Sequence, residues 1–515
     1  MQSQRILIVG TTSDYIDLLR KKYPTKELVF ITDSTIREKA TEERPEPDEE
    51  LLCELDRLGG VNNLAATNVT NSHSSTLPQE VINLINKHIQ LYGITLKGIA
   101  CFDCESMALT AKIAASFNMP YPSIEAVMAC RDKSKTRELW HAKGVPTPKY
   151  KRVNSAAQAV EFFNSVQSVQ NINFSLNKLN NENLLDKNKI NFLRDKISKI
   201  TPCVLKPVDS SGSERVFRCS TANECEAAYN LICKPQSSPD IIIETYVEGT
   251  EYSCDFIIGG TKDGEIKVLK NIFCSGEDVY KHDVIPIRFT RKIPSPIPVF
   301  GTTMAYEIVD ISSANIDKSY LISVLEKGAK ALGITRAICM VDFIVDVHNK
   351  VSLLEMTPRP GGDCLPWLIQ KAMNIDILKL NLDFACYSNQ SFKKEDFKLK
   401  HLPTCYDKHL STGCDKYLPH FDDKLIGLRI HANQSGVLRS IDTKKVESDS
   451  RVREIFIKHK TRHQITLPPE NYDSWNLGHI IFKPFEDIPY KDQCMELLSM
   501  LKIDIIEPKS EDYNG

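Results

Sequence analysis

The chain has 515 residues, too many for one hydrophobic core, so about three or four domains or lobes with a deep cleft between them are expected. Hydrophobic residues at 42% and charged residues at 26% argue against general disorder and fibrous repeats, and a net charge of −2 offers no positive field to gather nucleic acid or anionic lipid. No run approaches the roughly 18 apolar residues that span a bilayer, and the apolar run at 5–10 is too short for a signal-peptide core. A cytoplasmic protein with neither nucleic-acid nor membrane partners is the expectation.

Taken in chain order, RILIVG (5–10), an amphipathic stretch to Lys22 and the apolar run ELVFIT read as β-α-β. LKGIACFD (96–103) followed by the helical SMALTAKIAASFNM extends this to a doubly wound parallel sheet over residues 1–124. Gly10 is followed by Thr-Thr-Ser, so a dinucleotide-binding fingerprint is absent. The charged stretch 37–50 reads as a solvated connection or an exposed helix start. Sixteen cysteines are scattered through apolar segments and read as free buried thiols; Cys101 and Cys104 have no second pair to make a zinc site.

RDKSKTR (131–137) opens a helix that stops at Lys143-Gly144 before VPTP. Such a basic run is also what a solvated helix face looks like. From 164 to 199 the composition shifts to Asn, Lys, Ser and Gln, an insertion within a domain because strand-like sequence resumes at PCVLKPV (202–208). That strand carries Lys206 and runs into Ser210, Ser211, Gly212 and Ser213, a small loop whose amides can close over phosphates. A surface hairpin with an edge lysine has the same pattern.

IIIETYV (241–247) ends on Glu244, Thr245, Tyr246 and Val247, where open backbone can pair with an adenine edge; Glu251 follows as an acid for ribose hydroxyls. Both acids also fit an ordinary surface. YSCDFIIGG, IKVLKNIF, ICMVDFIVDV and KVSLLEM are further strands, and 317–332 is a helix. The charged segment 275–291, with Lys281, His282, Arg288 and Arg291, is a candidate substrate wall or a plain charged loop. The tail, 391–515, reads as a β-rich accessory domain ending in a helix near 491–501.

The strongest constellation is MVDFIV (340–345), a turn through His348-Asn349-Lys350, and LLEMTPRPGGD (353–363). Two antiparallel strands each place an acid among apolar residues, so Asp342 and Glu355 can project into one cleft. Magnesium prefers one or two carboxylates plus substrate phosphates, and the Thr357 hydroxyl adds a third oxygen. Arg359 supplies a planar fork for phosphate or carboxylate oxygens. A structural ion pair at a turn is the competing explanation.

In order and spacing, these segments resemble the ATP-grasp superfamily over about residues 125–385, and the flanking regions resemble the branch of biotin carboxylase, carnosine synthase and bacterial L-amino-acid ligases. The resemblance implies a lid lobe at 125–240, a large lobe with the metal site at 241–390, and ATP with magnesium or manganese, two ions in all. It implies phosphate contacts from Lys133 and Lys206, an adenine hinge at Glu244 to Val247, a ribose acid at Glu251, metal ligands at Asp342, Glu355 and Thr357, and Arg359 steadying an acyl phosphate. The expected reaction joins a small-molecule carboxylate to an amine, with amino-acid or dipeptide ligation preferred over a nucleotide-precursor ligase, a carboxylase or an ATP-binding module without turnover. A homodimer is compatible with the resemblance. Three departures stand out: Asp342 is shorter than the usual glutamate, Thr357 replaces a common asparagine, and Glu214-Arg215 replaces a common Arg-Gly.

Overall fold

The computed structural model describes residues 3–23, 27–37, 40, 46–58, 77–179, 200–210, 212–233, 240–259, 283–296, 300–386, 423–459, 461–468, 471 and 474–507. Near the N-terminus, β1 (Ser3–Val9) lies between β2 (Leu28–Ile31) and β3 (Ile94–Ala100) in a parallel sheet. Strand alternation sends Leu7 and Val9 into one core with Leu109 and Ile113, and Ile6 and Ile8 into another with Leu368 and Leu378. Burial on both faces is what a parallel sheet requires. At the end of β1, Gly10 has φ +74, and a Cβ there would sit 2.2 Å from Ser106 Oγ, so only glycine fits this turn.

The small lobe is an antiparallel sheet ordered β4 (Tyr150–Val153), β7 (Ile241–Thr245), β5 (Cys203–Pro207) and β6 (Phe217–Cys219). Helices Ala156–Leu179 and Ala222–Ile232 bury Phe162, Phe163, Cys225 and Ile232 against it. The Asn-rich stretch enters the first of these helices through residue 179, and 180–199 lie outside the described residues.

The large sheet has eight strands: β12 (Val351–Thr357), β11 (Ala337–Asp346), β8 (Gly249–Ile258), β9 (Val284–Pro294), β10 (Thr303–Ile308), β13 (Ile426–His431), β17 (Asn476–Phe482) and β15 (Val452–Ile457). The strands of the β-rich tail read from the sequence are divided between this sheet and a second one. Three of its strands continue the large sheet, β13 pairing with β10 at Ala305↔Leu428. Pairing this way covers an edge of β10 that would otherwise expose unpaired backbone. Among the described residues of the tail, β14 (Gly436–Asp442), β16 (Gln464–Ile465) and β18 (Lys502–Ile506) form a separate sheet. The proposed strand IKVLKNIF lies outside the described residues. Among the described residues no helix is long and apolar enough to cross a membrane.

Candidate active site

The basic segment folds as two helices, Ile124–Arg131 and Lys133–Ala142, broken at Asp132, whose carboxylate accepts from Lys135 N at 2.9 Å and caps the second. The cap points Lys133 inward: its backbone N–H donates to Val208 O at 2.9 Å, and its ammonium donates to Ser210 O in the loop after β5. Arg137, one helical turn on, reaches Glu244 Oε1 at 2.5 Å, and Lys206 Nζ reaches Glu244 Oε2 at 2.6 Å. Burial alone would raise the Glu244 carboxyl, but Arg137 and Lys206 overcome it and hold the group below the ordinary range. Glu244 thus clamps two cations with its side chain. The N–H groups of Thr245 and Tyr246 donate to Lys149 O and Pro202 O at 2.9 and 2.8 Å, so these two donors are committed within the small lobe and do not face an adenine.

Across the cleft, β11 and β12 pair with Asp342 directly opposite Glu355, beside a register shift after Asp342. Burial, with Glu355 and Glu251 adding repulsion, pushes Asp342 up to about 6 despite the opposing Lys292 ammonium. Glu355 is lowered: burial acts against its charge, but Lys133, Lys292 and Lys206 outweigh it. Burial presses Lys133 down to about 8, with Glu355 opposing.

Lys292, unnoticed in the sequence, bridges the acids. Its ammonium pairs with Asp342 Oδ2 and lies 2.6 Å from Glu251 Oε1. Strand alternation was the available signal, since Lys292 lies two and four residues beyond Thr290 and Arg288, whose side chains are hydrogen-bonded to each other.

Arg288 is not a substrate wall. It is fully buried, with Nε 2.6 Å from Asp255 Oδ2 and further bonds to Ser253 and Thr290. Asp255 Oδ1 in turn accepts from Gly361 N at 2.8 Å, so this pair supports the turn that carries Arg359. A Cβ on Gly361 would come within 2.8 Å of Leu365 and 3.1 Å of Arg288, which explains the glycine. Arg291 does line the cleft, where its Nε is 2.7 Å from Glu307. Lys281, His282 and Ser211 lie outside the described residues.

Arg359 donates Nε and Nη2 to Cys104 Sγ at 3.1 and 2.9 Å, a thiol brought by the loop after β3. In the loop after β5, Gly212, Ser213 and Arg215 have φ of 62°, 66° and 52°, and Ser213 Oγ donates to Gly301 O at 2.8 Å. The Arg-Gly departure thus leaves an arginine in a left-handed conformation.

Lys133, Lys206, Glu251, Lys292, Asp342, Glu355 and Arg359 line one cavity of about 1180 Å³. Two buried oxygens there, Asp342 Oδ1 and Thr357 Oγ1, have no hydrogen-bond partner. Among the described residues no three His, Cys, Asp or Glu side chains group as a complete metal shell. An unsatisfied carboxylate oxygen and an unsatisfied hydroxyl beside a second carboxylate fit a hard divalent cation that takes its remaining ligands from phosphate.

An ATP-grasp domain model matches residues 199–293. The L-amino acid ligase of Bacillus licheniformis has the same fold, with TM-score 0.61 at 14% identity over 99% of this chain and all of that one. A biotin carboxylase of Campylobacter jejuni follows at TM-score 0.53 and 14% identity, covering 98% of this chain and 92% of that one. In sequence, the chain is 24% identical over 307 residues to the uncharacterized protein y4rH of Sinorhizobium fredii, 58% of this chain and 50% of that protein. It is 21% identical over 182 residues to a D-alanine–D-alanine ligase of Acidovorax ebreus, 35% of this chain and 44% of that enzyme. The chain spans about half the length of these curated relatives. The match to the ATP-grasp domain covers this one segment, residues 199–293, and the fold of the whole chain is the multidomain α/β architecture of its structural neighbours.

Proposed function

We propose that this protein is an ATP-dependent ligase that activates a carboxylate as an acyl phosphate and joins it to an amine, with amino acids or dipeptides as substrates. The observation that carries the reading is Asp342 opposite Glu355 in a cleft that also holds Lys133, Lys206 and Arg359. A carboxylate oxygen attacks the γ-phosphorus, and the bond to the β–γ bridging oxygen breaks as ADP leaves. The amine nitrogen then attacks the acyl carbon, phosphate departs with its oxygen, and the amine proton is released.

In-line transfer of this kind needs positioning and charge neutralisation more than covalent help. Lys133 and Lys206 meet phosphate charge from the lid side, with Glu244 fixing Lys206. Arg359 faces the charge that builds on the reacting carboxylate and phosphate. Asp342, Glu355 and the Thr357 hydroxyl would hold Mg²⁺, or Mn²⁺, which when bound screens the phosphate oxygens. Lys292 occupies this acidic corner as an internal cation, and its ammonium would have to release Asp342 for that carboxylate to hold a metal.

Supporting the amide-forming reading are the relatives named as an L-amino acid ligase and a D-alanine–D-alanine ligase. The test is ADP release and product mass spectrometry across amino-acid pairs with ATP and Mg²⁺. Release that requires both a carboxylate and an amine, with a mass matching their condensation, is expected. ATP binding with background ADP release for every pair would contradict the proposal.

A further inference from the structure

The cavity is larger than the roughly 300–1,000 Å³ usual for one ligand, and it continues past Arg359. This outer part is walled by three regions far apart in sequence: the start of helix Ser13–Lys22, the turn and first residues of helix Leu365–Met373, and strands β15 and β17. Its surface is aromatic. Tyr15 lies 5.7 Å from Trp367, which contacts Phe456 at 5.0 Å and His479 at 4.8 Å between ring centres. A Cβ on Gly362 would be 3.7 Å from both Arg359 and the Tyr15 hydroxyl, so the aromatic wall begins beside the guanidinium.

The polar atoms in this wall are incompletely used. Asp14 Oδ1, Asn476 Oδ1 and His479 Nε2 are buried, line the cavity and have no hydrogen-bond partner. Buried polar groups are normally satisfied, and atoms left open on a cleft wall await a ligand. Two of the three are acceptors. Asn476 Nδ2 donates to Asp363 at 3.3 Å, which fixes its oxygen as the open atom. Asp363 itself is engaged by Arg429 at 2.5 Å, and Lys458 is the nearest opposing charge to Asp14. The compartment thus offers the Arg359 cation, flat rings along its wall and open hydrogen-bond acceptors on Asp14 and Asn476.

We infer that this compartment binds the carboxylate donor, and that the donor is an α-amino acid with an aromatic or bulky apolar side chain and a free amino group. Its carboxylate lies at Arg359, its side chain lies against Trp367 and Phe456, and its ammonium donates to Asp14 and Asn476. Engaging the α-ammonium with Asp14 and Asn476 keeps it from acting as the nucleophile, so a second amine must supply the new bond. This inference rests on the ligase reading and specifies its substrate class.

Hydroxylamine tests it, because it intercepts any acyl phosphate as a hydroxamate and so reports each donor without its amine partner. With ATP and Mg²⁺, phenylalanine, tryptophan and leucine are expected to give hydroxamate with kcat/KM at least about tenfold above alanine and aspartate. N-acetylphenylalanine, lacking the ammonium, is expected to lose about tenfold against phenylalanine. Phe456→Ala, on a half-buried strand position, is expected to raise KM for phenylalanine severalfold with kcat nearly unchanged. Asp14→Asn is expected to abolish discrimination between phenylalanine and its N-acetyl form. Hydroxamate formed preferentially from small or acidic donors, or equally from acetylated and free phenylalanine, overturns the substrate assignment while leaving the ligase reading intact. No hydroxamate from any carboxylate, with ATP still bound, overturns both.

Discussion

Two buried acids on neighbouring strands of the large sheet, Asp255 on β8 and Asp342 on β11, have opposite fates. Asp255 is paired with Arg288, donors reach both its oxygens, and neither residue sees solvent. Asp342 lines the cleft, shares one oxygen with Lys292 and leaves the other without a partner. Complete satisfaction marks a structural pair, whereas an unsatisfied oxygen beside a second carboxylate marks a group that expects a ligand. The same acid type on the same sheet thus supports the turn in one case and, in the proposed function, serves the chemistry in the other.

The contrast breaks most visibly under substitution. Glu355→Ala is expected to lower ADP formation to background, a loss of at least about a thousandfold, while circular dichroism and the melting temperature stay near wild type. Normal turnover in that variant would remove the metal assignment. Asp255→Ala should do the reverse at the level of the fold. It leaves Arg288 buried without a counter-charge, and denaturant unfolding should show a loss of about 3–5 kcal/mol. Gly361→Ala should cost about 1–3 kcal/mol, because its Cβ meets Leu365 and Arg288 in a packed turn.

A pH series sharpens the comparison further. Asp342 is raised to about 6, so it gains a proton and loses its value as a metal ligand as pH falls through 6. Lys133 is lowered to about 8, so its charge disappears as pH rises through 8. Mg·ATP affinity measured by titration calorimetry should therefore be flat between about pH 6 and 8 and fall on each side by up to about tenfold per unit. Lys292→Met removes the cation that most opposes protonation of Asp342, and the acid limb should move to higher pH. An unmoved limb would mean that Asp342 does not set it.

The Asp342–Glu355 site was legible because it is local. Period-two alternation and the turn at His348-Asn349-Lys350 fix a hairpin, and a hairpin fixes which acids face each other. Gly361 and Arg359 were legible for the same reason, as parts of one turn. What escaped depends on partners far away in the chain. Lys292 meets Asp342 across 50 residues, Cys104 meets Arg359 across 255, and nothing in either local pattern announces the meeting. Arg288 shows the converse error, a basic residue in a polar segment that a partner on the neighbouring strand draws into the interior. The tail strands were recognised as strands, but their membership of the large sheet rests on long-range register that alternation alone does not encode.

The central claim is that Asp342 and Glu355 form a metal-assisted nucleotide site. Calorimetric titration of ATP into the wild-type protein and Glu355→Ala, each with Mg²⁺ and with EDTA, tests it most directly. Mg²⁺ is predicted to tighten ATP binding at least about tenfold in the wild type and to have little effect in the variant. Equal tightening in both proteins, or none in the wild type, would contradict the account.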